Sequence, residues 1–105
     1  MAANQKDVNG GKKAEIVLTS PVQVGDVVLP AGHYAFRHLV SAGQHVATFV
    51  GPEGTASTIS TEIKCTNEPL KEKARRTSVT VENIGGVNKI TRIEIEGETV
   101  AHIFS

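Results

Sequence analysis

The stretch PVQVGDVVLPAGHYAF, residues 21 to 36, most constrains what this chain can fold into. Short runs of β-branched and aromatic residues are separated by Gly25-Asp26 and then by Leu29-Pro30-Ala31-Gly32. Glycine admits a positive φ and proline presets its own, so both sites reverse the chain and neither lets a helix grow. Elsewhere alternation with period two dominates and helical periodicity is scarce. A small sheet turning back on itself accounts for these corners better than a loop built to cradle a ligand.

The alternation places the elements. In AEIVLTS, residues 14 to 20, Ile16 and Leu18 share one face and Glu15, Val17 and Thr19 the other. HYAFRHLV and HVATFV bracket SAGQ (41–44), read as a four-residue hairpin loop, and GPEG (51–54) reads as a second. In TASTISTEIKC, Ile59, Ile63 and Cys65 are expected to look inward and Glu62 and Lys64 outward; further on, Val79 and Val81 are expected inside. The closing hairpin turns across Glu96-Gly97, which pairs Ile93 with Val100 and Thr91 with His102.

The segment TNEPLKEKARRT, residues 66 to 77, interrupts the pattern. It reads as a charged loop or one short helical turn, capped by Asn67 with Pro69 near its start. The expected fold is all-β: a small antiparallel β-barrel or sandwich of about seven to eight short strands. It forms a single β domain over 14–105, behind a polar, flexible N-terminal segment at 1–13.

Composition narrows the function. At 105 residues the chain can bury a core without metal or disulfide staples. Formal net charge is zero, so no global field draws it to nucleic acid or an anionic membrane. Lys71, Lys73, Arg75 and Arg76 form a local basic patch without the interleaved aromatics of a nucleic-acid groove. No apolar run approaches the roughly 18 to 20 residues of a membrane helix, so no membrane insertion is expected.

Four histidines are the material for a site: His33, His38, His45 and His102. With SAGQ as the loop, residue 40 pairs with residue 45. His38 and His45 then lie on one face as diagonal neighbours, about 7 Å apart at the backbone. Two imidazoles so placed could share a zinc or copper ion. A third ligand would come from His102 or a carboxylate, and the spacing places neither. The competing reading is of ordinary strand histidines.

Cys65 reads as a small buried hydrophobe, because no base accompanies it to make a nucleophile. Glu62, Glu82, Glu94, Glu96 and Glu98 are spread over faces and turns, with no pair set for acid–base work. There is no phosphate-binding glycine loop and no nucleophile elbow. The expectation is therefore no enzyme and no cofactor.

The corner Val24-Gly25-Asp26, the run Leu29-Pro30-Ala31-Gly32-His33-Tyr34, the Thr/Ser-rich middle strand and the closing ITRIEIEGETVAHIF carry a resemblance over roughly residues 14 to 105. Together they resemble small exported all-β domains common in acidobacterial soil bacteria. That resemblance implies an all-β fold, a periplasmic or extracellular location and no established chemistry. The charged stretch 66–77 has no counterpart in the pattern.

The function expected is a non-enzymatic exported β domain with a binding or structural role in an envelope or extracellular assembly. Its partner would be another protein or a second copy, joined through an edge strand at 14–20 or 98–104. The alternative is a small-ligand or metal-binding β-barrel using His38 and His45.

Overall fold

A computed structural model describes residues 10–56 and 58–104. Among them there are ten strands and no helix: β1 (Gly10–Leu18), β2 (Val22–Val24), β3 (Val27–Leu29), β4 (Gly32–Ser41), β5 (Gln44–Gly51), β6 (Ile59–Lys64), β7 (Thr66–Pro69), β8 (Ser78–Ile84), β9 (Val87–Glu94) and β10 (Val100–Ile103). The first strand begins at Gly10, ahead of the expected start at 14; the remainder of the segment expected to be flexible, 1–9, lies outside the described residues.

The strands form two sheets, one ordered β1-β4-β5-β6 and the other β3-β2-β9-β10-β7, with β8 also paired to β9. They do not close into a barrel. The strand count exceeds the expected seven to eight; the chain changes sheet at β1/β2, β3/β4 and β6/β7, and β7 forms within the 66–77 segment expected to be loop or helical turn. The pairing is antiparallel except where β2 meets β9, at Gln23 and Lys89.

One core lies between the sheets. Ile16, Leu18, Phe36 and Phe49 from the first sheet pack with Val24, Leu29, Ile90 and Ile93 from the second. Each large apolar side chain so buried contributes about 1.5–3 kcal/mol. Phe36 and Phe49 meet edge to face with centroids 5.2 Å apart, a geometry the ring quadrupoles favour. Ile90 and Ile93 are an odd number of positions apart and still both face inward. The pairing skips from Thr80–Arg92 to Val81–Ile90, leaving Thr91 as an extra bulged residue that resets the alternation.

The corners at 21–36 are structural. Gly25, at φ 58°, turns β2 into β3 so that Val24 pairs with Val27. The Tyr34 hydroxyl donates to the Pro30 carbonyl at 2.6 Å, tying β4 back to the corner that precedes it.

Several expectations are corrected. The 41–44 loop is a two-residue turn, Ala42-Gly43, with Ser41 and Gln44 already paired. Ile59 is 58% exposed because it sits at the end of an edge strand, and Val81, beyond the bulge, is 42% exposed. The last hairpin is shifted by two residues: Ile93 pairs with His102, not Val100. A slip of two preserves which face each side chain occupies.

No helical turn forms in 66–77. Thr66–Pro69 is strand β7, drawn onto β10 with Asn67 opposite His102, and irregular chain follows. Consequently β10 has neighbours on both sides, and 98–104 is not an available edge.

Candidate metal centre

The site forms at the end of the core where β4 turns into β5. On β4 every second residue faces inward, so His38 follows Tyr34 and Phe36 into the interior. The turn at Ala42-Gly43 sets Val40 opposite His45 and His38 opposite Ala47. Ala47 is small, which leaves its partner's ring room to lean toward His45. The two imidazoles stack with centroids 5.1 Å apart and planes 20° from parallel. His38 Nε2 lies 3.2 Å from His45 Nδ1, a hydrogen bond in which one ring N–H donates to the other ring's bare nitrogen.

Two more groups reach the same place from elsewhere in the chain. His102, on β10 of the second sheet, is 1% exposed, and its ring centroid is 4.4 Å from that of His38. Cys65 sits where the chain passes from β6 to β7, and its N–H donates to the His45 carbonyl at 3.1 Å. One ligand atom from each of His38, Cys65 and His102 falls within 4.8 Å of the other two. A cleft of about 220 Å³ lined by Lys64, Cys65, Thr66 and Ile103 opens beside the thiol.

Glu98 completes the set: its Oε1 lies 2.8 Å from His102 Nε2. An ionised carboxylate only accepts, so Nε2 donates to it, and in the neutral ring that leaves Nδ1 as the bare lone pair. That Nδ1 is buried and has no hydrogen-bond partner among the described residues. The charged segment positions Glu98. Ala74, buried among basic neighbours, receives the Gly97 N–H at 2.9 Å and donates its own N–H to the Glu98 carbonyl at 3.0 Å.

His38 and Cys65 are held in neutral form. Burial lowers the His38 pKa to about 4, helped by repulsion from His102 and His45 and opposed by Glu98. Burial raises the Cys65 thiol to about 11. Neutral imidazole is the form that ligates metal, whereas the thiol must lose its proton to do so.

The structure therefore brings His38 and His45 together as the spacing implied, and adds His102 and Cys65. His33 is exposed on the opposite face of β4 and takes no part. Sequence reasoning gave Cys65 an inert role and placed no carboxylate by a histidine. The available signal was the inward parity of His102 and Cys65, but nothing local shows that two separate sheets converge there.

The chain matches no protein-family model, no curated protein and no solved structure.

Proposed function

We propose that this is a non-enzymatic, exported β domain that binds a transition-metal ion of the zinc or copper class, with His38 and His45 as its primary ligands. The observation that carries the reading is the 3.2 Å separation of His38 Nε2 and His45 Nδ1, with His38 only 5% exposed. Two nitrogens bound to one tetrahedral ion at bond lengths of about 2.0–2.1 Å lie roughly 3.4 Å apart, so the apo spacing is already close to the liganded one. A His38 ring held neutral by burial also has no extra proton to shed before the ion enters.

The test is a nitrogen-15 HSQC titration with zinc and with copper. Saturation at one equivalent, with shifts centred on His38, His45 and their strand neighbours, supports the reading. A flat titration at stoichiometric metal refutes it, as would unchanged affinity in the His38→Ala and His45→Ala variants.

A further inference from the structure

Resting on that reading, we infer that the ion is drawn past the rim and closed over by the Cys65 thiolate and His102 Nδ1, giving a buried three-histidine, one-thiolate site for a divalent thiophilic ion such as Zn(II), with Glu98 orienting His102. The donors come from four places in the chain: β4, β5, the β6/β7 junction and β10. Three are buried, His38 at 5%, Cys65 at 9% and His102 at 1%, while His45 is half-buried at the outer end. His45 is the entry ligand and His102 the innermost.

The unpartnered His102 Nδ1 points to a ligand independently of the clustering. Leaving a buried polar atom unpaired costs about 1–3 kcal/mol, and this one is held bare because Glu98 engages the opposite nitrogen. A carboxylate on the far nitrogen of an imidazole fixes its tautomer and strengthens it as a donor. Asn67, opposite His102 on β7, packs beside it without supplying the missing partner.

Geometry and donor type select the ion. Ligand atoms around tetrahedral zinc lie about 3.4–3.6 Å apart, given Zn–N and Zn–S bonds of about 2.0–2.1 and 2.3 Å. His38, Cys65 and His102, with ligand atoms within 4.8 Å of one another, reach that spacing by side-chain rotation, and His45 joins through its 3.2 Å contact with His38. As the metal–sulfur bond forms, the S–H bond breaks and its proton passes to solvent. In the His38–His45 pair the shared proton moves to the other nitrogen of its own ring, and none is released. Imidazole and thiolate donors together are the ligand types that zinc-class ions take.

The probe is Co(II), added to reduced protein without external thiols and then displaced with Zn(II). Wild-type protein is expected to show the visible bands of tetrahedral cobalt, a near-ultraviolet thiolate-to-cobalt charge-transfer band and bleaching by one equivalent of Zn(II). Cys65→Ser should lose the charge-transfer band and bind at least about tenfold more weakly. In Glu98→Gln the band should persist with affinity down about 10- to 100-fold, which separates a positioning role from ligation. Amide spectra of the apo variants verify folding. Visible bands without charge transfer, unaltered by Cys65→Ser, would overturn this inference while leaving a rim site at His38 and His45. Absence of any cobalt or zinc binding removes the metal reading as well.

Discussion

The Glu98 carboxylate and His102 Nε2 are 2.8 Å apart in the protein interior, and that contact joins the irregular charged segment to the core. Ala74 pins the loop that carries Glu98, and Glu98 in turn holds a ring that is 1% exposed. Replacing Glu98 with Ala leaves both nitrogens of a buried imidazole without the carboxylate partner. The expected loss is about 1–3 kcal/mol in urea denaturation of the apo protein. A loss under about 0.5 kcal/mol would show that the bond adds nothing net to stability.

Stability of the apo protein should depend on pH through His38. Its pKa is depressed to about 4 in the folded state from an ordinary 6.5. Between those values the unfolded chain binds more protons than the folded one, so stability falls as pH falls from about 6.5 toward 4 and levels off below for this group. The contribution is on the order of 2 kcal/mol, less than the whole shift implies because water reaches the rim of the cluster. Urea midpoints measured across that window should show the slope, and His38→Phe should flatten it.

Cys65 should resist alkylation. The thiol is 9% exposed and burial raises its pKa to about 11, so little thiolate is present or reachable at neutral pH. Labelling by iodoacetamide is expected to be slow in buffer and fast in denaturing urea. Equal rates in the two conditions would mean that the β6/β7 junction opens freely.

Tyr34→Phe removes the hydroxyl that donates to the Pro30 carbonyl at 2.6 Å while keeping the ring in the core. About 0.5–1.5 kcal/mol should be lost in urea unfolding. An unaltered urea midpoint would remove this hydrogen bond from the account of the corner.

Gly51→Ala tests a close approach at the end of β5. A Cβ there would stand 2.6 Å from both the His33 carbonyl oxygen and Tyr34 Cδ2, and backbone cannot yield as a flexible side chain does. Destabilisation of about 1–3 kcal/mol is expected from thermal or urea unfolding. Gly54→Ala, a position with open space around it but φ 78°, should cost less, on the order of 1 kcal/mol.

The sequence by itself determined the β class, the corners and the short-range pairing. Alternation put Ile16 and Leu18 inside and Val17 outside, and Gly25 marked a real turn. It also brought His38 and His45 onto one face, because the register of a hairpin depends only on its turn and a period of two. The last hairpin's register lies two residues from the pairing its turn implies, and its faces are the same for the same reason.

What only the tertiary structure decided is everything that depends on partners distant in sequence. The helix-favouring composition of 66–77 yielded to β10, which offered Thr66–Pro69 a strand to pair with. The division of the strands between two sheets arose at junctions where the chain changes sheet, and Cys65 sits at one of them. His102 and Glu98 joined the cluster through β10 and a loop held by Ala74. Local patterning tells a side chain which way to face; which other side chains it finds there is decided when the two sheets close over one core.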